Sequence, residues 1–61
     1  MNYIGSCSKP GQYLIDKTDC TVFYECDPAL IARQFQCDDG LCFSPEVNMC
    51  EFFNSGYCSR C

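Results

Sequence analysis

The chain contains no histidine and no tryptophan, and its 61 residues include only four basic ones, Lys9, Lys17, Arg33 and Arg60. Each absence argues against a class of function. Without histidine, no side chain has an ordinary pKa near neutrality, so acid–base and nucleophilic catalysis lack their usual proton acceptor. Four scattered cations against eight carboxylates give a formal net charge of −4. Binding nucleic acid requires a clustered basic surface to displace counterions, and none is present. The same scarcity leaves no cationic amphipathic face for attacking membranes. No apolar run approaches the ~20 residues of a spanning helix. Residues 1–6 show no basic stretch followed by an apolar one, so the chain reads as a mature, soluble form.

The carboxylates do not replace the missing histidine. A glycosidase needs two of them facing each other at roughly 5–9.5 Å. Asp38 and Asp39 are adjacent, but they precede Gly40, where acids commonly serve turn geometry. The expectation is a protein that is not an enzyme and uses no cofactor.

Cysteine is what the sequence has in excess. Eight of 61 residues are cysteine: Cys7, Cys20, Cys26, Cys37, Cys42, Cys50, Cys58 and Cys61. That density exceeds the roughly 8–10% that marks a disulfide scaffold. A chain this short buries only about 60% of the surface its unfolded form exposes, so covalent staples are expected. Each typically contributes ~2–4 kcal/mol. Disulfides persist in oxidising compartments, which implies a secreted, extracellular protein. Zinc would call for several CxxC pairs, often with histidine, and only Cys58-Ser59-Arg60-Cys61 has that spacing, so no metal is expected. The even spread of cysteines leaves no room for a linker, and residues 1–61 read as one domain.

Strand signals occupy the intervals between cysteines. Residues 12–15, 21–26 and 31–37 are rich in β-branched and aromatic residues, and the last puts Ile31, Arg33, Phe35 and Cys37 on one face. Asp27-Pro28-Ala29-Leu30 suits a type I turn, with Asp first and Pro second. A shorter hairpin follows: strands at 41–43 and 48–50, with turns at 38–40 and 44–47. Residues 51–61 read as an ordered loop. The fold class is small, disulfide-rich β, with an antiparallel three-stranded sheet followed by a short two-stranded hairpin and four disulfides. Phe23, Phe35 and Phe43 are expected in the core, and one of Phe52 and Phe53 buried with the other exposed.

Together these features resemble the chitin-binding type 2 domain, also called peritrophin-A or carbohydrate-binding module family 14. The likeness rests on Asp19-Cys20, on Phe23-Tyr24-Glu25-Cys26, on Gly40-Leu41-Cys42-Phe43-Ser44-Pro45 and on Asn48-Met49-Cys50, and it covers residues 7–58. Eight cysteines allow 105 pairings, which the sequence alone does not choose between. The resemblance implies first with third, second with sixth and fourth with fifth, giving Cys7–Cys26, Cys20–Cys58 and Cys37–Cys50. Cys42 and Cys61 are then additional. Strand parity sets Cys42 opposite Leu41 and Phe43, on an outer face that a tail ending at Cys61 would wrap, so Cys42–Cys61 is expected. An intermolecular bond through either thiol is the alternative.

The resemblance also implies a ligand, chitin or a chito-oligosaccharide, bound by stacking on aromatic rings and by hydrogen bonds to the acetamide. In the family the fifth cysteine is followed by an acid, an aromatic and a proline; here Glu51 and Phe52 match and Phe53 replaces the proline. By resemblance Phe52 is the stacking platform, with Glu51 or Asn54 hydrogen-bonding the sugar. Tyr57 is a candidate second ring and Asn48 a further candidate ligand. Three features depart from the family: the missing tryptophan, Pro28 where glycine is frequent, and the two added cysteines. The alternative functions are a toxin or signalling peptide directed at a protein receptor or channel, and a protease inhibitor presenting residues 27–32. Neither nucleic acid nor membrane is an expected partner.

Overall fold

The computed structural model describes residues 2–61. Five strands form in order: β1 (Tyr13–Ile15), β2 (Val22–Cys26), β3 (Ala32–Gln36), β4 (Leu41–Ser44) and β5 (Met49–Phe52). The first three make an antiparallel sheet in chain order and the last two an antiparallel hairpin. No described residue is helical.

Period-two alternation divides the sheet into two faces. Register places Leu14 opposite Tyr24 and Tyr24 opposite Gln34, while Ile15, Phe23 and Phe35 align on the other side. The first face holds the main core: Leu14, Val22, Tyr24 and Cys26 are buried, with Tyr3, Cys7 and Ala32 packed against them. The N-terminal segment covers this face. It is tied by a bridge between Tyr3 and Asp16, by Ile4 N–H donating to Ile15 O, and by the Cys7–Cys26 disulfide.

One polar network is buried in that core. The Tyr24 hydroxyl donates to Asp16 Oδ1 at 2.7 Å, and Asp16 Oδ2 accepts from the backbone N–H groups of Thr18 and Asp19. Hydrogen bonds to the charged carboxylate, the Tyr24 hydroxyl foremost, hold Asp16 below the usual carboxylate range. The same bond, helped by desolvation, pushes Tyr24 up to about 12. Arg60, near the C-terminus, donates to the main-chain oxygen of Asp16.

The hairpin packs on the opposite face of the sheet. Phe43 is fully buried, and its ring stacks on Phe23 at 4.5 Å between centroids. Phe43 N–H donates to Cys20 O, a backbone bond that joins the two parts, while Cys37 N–H donates to Thr21 O and extends the β2–β3 ladder by one pair. Gly40 supplies the positive φ of 83° that turns the chain into β4.

The hairpin is longer than the sequence reading. Cross-strand pairs Cys42↔Glu51 and Leu41↔Phe52 carry β5 through Glu51 and Phe52, which the sequence assigned to a loop. Asn48 lies outside the strand, in the turn, with φ 55°. Phe35 also differs from expectation. β3 is an edge strand, and on the face where the hairpin meets Phe23, Phe35 is 46% exposed while Phe23 is half-buried and Phe43 is core.

Two disulfide pairings are corrected. Cys7 bonds Cys26 and Cys37 bonds Cys50, but Cys20 bonds Cys61 and Cys42 bonds Cys58, in place of Cys20–Cys58 and Cys42–Cys61. All eight cysteines are paired within the chain, so neither Cys42 nor Cys61 is left for an intermolecular bond. The path of the tail explains the exchange. After Phe52 the chain reverses, with Ser55 N–H donating to Phe52 O, and Cys58 is the first cysteine to reach the Cys42 face of the hairpin. The last three residues run on to Cys20, with Arg60 docked at Asp16. The tail does wrap the outer face of the hairpin, but Cys58 fastens it. Counting Cys61 as the sixth cysteine keeps the order first–third, second–sixth and fourth–fifth, and Cys42–Cys58 becomes the additional bond.

Candidate functional site

The tail presents an exposed aromatic loop. Phe52 is 68% exposed and Phe53 51%, and Tyr57 is also exposed, so neither of the two phenylalanines is buried as expected. β5 ends at Phe52 because the chain turns there, which carries both rings past the part of the hairpin that packs on the sheet. Phe53 N–H donates to Gly40 O at 3.2 Å, and Tyr57 N–H donates to Ser55 Oγ at 3.2 Å. At the far end Cys58 is bonded to Cys42, and its Sγ lies 3.3 Å from Phe52 O. Backbone bonds and a disulfide thus close the loop at both ends.

Of the five residues anticipated for a ligand, Phe52, Asn54 and Tyr57 share this loop, and Asn54 is exposed. Glu51 does not join them in the expected way. It pairs with Cys42 across the hairpin, so parity sends it to the face opposite Phe52, where it is half-buried. Asn48 sits at the other end of β5, about 13 Å away at ~3.3 Å per residue. Its left-handed backbone, which asparagine tolerates better than most residues, supplies a structural reason for it there.

A second open surface lies on the sheet, away from the loop. A cleft of about 380 Å³ has walls from Pro10 and Pro28 and is lined by Glu25, Asp27, Arg33 and Phe35. Register puts Tyr13, Glu25 and Arg33 in one cross-strand row beside Ile15, Phe23 and Phe35 in the next. Phe35 stacks on Phe23 at 5.6 Å with the ring planes 20° apart. Arg33 Nε–H donates to Asp27 Oδ2 at 2.9 Å. Asp27 also caps the tip of the β2–β3 hairpin by accepting from Ile31 and Ala29 N–H, and these bonds, with Arg33, keep its carboxyl below the usual range. Sequence reading missed this surface by assigning Phe35 to the core. The signal was Arg33 on the same face as Phe35: a charged side chain in a strand marks a face that is not fully covered.

Compared with known proteins, residues 7–61 match the chitin-binding Peritrophin-A domain. The chain belongs to that family. The match runs to Cys61, the residue that closes the long disulfide to Cys20. Among similar proteins, U-scoloptoxin(01)-Tl1a of Thereuopoda longicornis is 33% identical over 54 residues, covering 88% of this chain and 61% of the relative. Peritrophin-1 of Anopheles gambiae is 37% identical over 48 residues, covering 79% of this chain and 31% of the relative. The chain therefore spans about six-tenths and three-tenths of the length of these two proteins. No solved structure gives a significant match. The family is one of carbohydrate-binding modules, which bind sugar without cleaving it.

Proposed function

We propose that this domain is an extracellular, non-catalytic module that binds chitin or chito-oligosaccharides through the loop at residues 52–57. Phe52 and Phe53 stack on the apolar faces of the sugar rings, Tyr57 adds a third ring, and Asn54 meets the acetamide group. The observation that carries this is the pair of exposed, adjacent phenylalanines on a loop closed by a disulfide in a chain of this family. A closed loop loses little freedom on binding, so more of the contact energy appears as affinity. Four intrachain disulfides support an oxidising, extracellular setting.

Retention on insoluble chitin, with cellulose as control, tests the proposal. The oxidised wild type is retained on chitin and released from cellulose, and Phe52→Ala weakens retention roughly tenfold, as loss of one aromatic contact does. With no histidine in the chain, retention stays level between about pH 6 and 8. Failure of the wild type to be retained sinks the reading. Likeness to U-scoloptoxin(01)-Tl1a favours a second reading, a toxin acting on a protein receptor or channel. Channel block by a protein that ignores chitin would establish it.

A further inference from the structure

The sheet cleft shares no lining residue with the loop at 52–57 or with the hairpin. Phe35 has one ring face laid against Phe23, which in turn stacks on Phe43, so a column of three rings fixes its plane. Phe35 nonetheless stays 46% exposed. Beside this flat apolar floor runs a polar row in which Glu25 and Arg33 are cross-strand partners. Arg33 spends one N–H on Asp27 and keeps its two terminal amino groups as donors on a side chain 61% exposed. Glu25 offers acceptors, and Pro10 and Pro28 form walls that cannot rotate away.

This combination selects its ligand class. The Asp27–Arg33 pair neutralises itself and Glu25 leaves one negative charge, on a chain of net charge −4, so anionic ligands are repelled. A flat apolar floor beside donors and acceptors suits a neutral pyranose, which is apolar on its faces and polar at its rim. The volume of about 380 Å³ lies at the small end of ligand sites, as one or two sugar units require. We propose that the cleft is a second saccharide site, with Phe35 as platform and Glu25 and Arg33 as hydrogen-bonding partners, so that one domain holds two chitin chains at once. The ligand class rests on the function proposed above; the position of the site does not.

An amide-resolved NMR titration of the disulfide-intact protein with chitotriose tests this directly. Two separate groups of amides shift: one at residues 52–57, the other at Gly11, 25–27 and 33–35, Pro10 and Pro28 having no N–H. Phe35→Leu keeps an apolar side chain over Phe23 but removes the flat ring; it weakens the second group roughly tenfold and leaves the first unchanged. Wild type clumps a suspension of chitin crystallites, whereas Phe35→Leu and Phe52→Ala each bind without clumping them. Shifts confined to 52–57, with clumping unaffected by Phe35→Leu, overturn the second site and leave the first standing. Shifts at the cleft alone support this site and remove the loop at 52–57. An unresponsive spectrum, with no retention on chitin, overturns both.

Discussion

The three-stranded sheet buries Leu14, Val22, Tyr24 and Cys26 behind its N-terminal segment, whereas the hairpin and tail leave Met49, Phe52, Phe53 and Tyr57 exposed. Both regions are rich in aromatic residues, but they use them differently. In the sheet, Tyr24 is satisfied by Asp16 and becomes core; in the tail, Phe52, Phe53 and Tyr57 stay exposed. Covalent bonds supply order there instead. Cys37–Cys50 holds the hairpin to the end of β3, and Cys42–Cys58 holds the tail to the hairpin. An aromatic surface can stay exposed and fixed only if something other than its own burial fixes it.

Removing disulfides one at a time separates the two modes, and here the largest effects are expected. Cys20–Cys61 spans 41 residues and ties the tail to the sheet; replacing both cysteines by serine costs about 4 kcal/mol on loop-closure entropy. Cys42–Cys58 spans 16, and its loss costs about 3 kcal/mol. Retention on chitin reverses the order: loss of Cys42–Cys58 frees the aromatic loop and weakens retention more than loss of Cys20–Cys61. Urea unfolding and the chitin assay, run on both double variants, check this. If the Cys42–Cys58 variant keeps full retention, the bond does not organise the loop.

Acid and alkali act on the sheet rather than on the disulfide-held hairpin. Asp16 is lowered from 3.8, so its contribution to stability is full above that value and is lost as pH falls through the folded pKa below it. Tyr24 is raised from 10.0 to about 12, so its contribution is full below 10.0 and is lost as pH rises toward about 12. Ultraviolet absorbance of the four tyrosines should show one phenol ionising about two pH units after an ordinary tyrosine. Tyr24→Phe abolishes that late phase, and Asp16→Asn moves it back toward 10.0. Four tyrosines ionising together would show that the buried hydrogen bond does not hold in solution.

The strands were legible because alternation and β-branched residues mark them wherever one face is buried, as in 21–26. Disulfide formation followed from cysteine number and chain length. The partners of Cys42 and Cys20 were not legible, because they depend on where the tail reverses after Phe52, which is set by backbone bonds that no residue type announces. Parity was legible but was stopped too early: carried one pair beyond Cys50, it separates Glu51 from Phe52. Phe35 was misplaced because an edge strand and a central strand share one alternating pattern, and only neighbours decide which faces are covered.

Each region also contains one non-glycine residue in the left-handed backbone region, Leu30 at φ 63° and Asn48 at φ 55°. Leu30 closes the tip of the β2–β3 hairpin, where its N–H donates to Asp27 O and Asp27 N–H donates to Ile31 O, a three-residue loop of the kind that ends in a left-handed residue. A branched side chain there costs roughly 1–2 kcal/mol, while glycine adds about 0.5–1 kcal/mol of unfolded-state entropy. Leu30→Gly is therefore expected to stabilise the domain by about 0.5–1 kcal/mol, raising Tm by a few degrees. Asn48→Gly relieves less, since asparagine already tolerates this backbone. Equal responses at the two turns would show that the leucine is not strained, and that the contacts its half-exposed side chain makes compensate for its backbone.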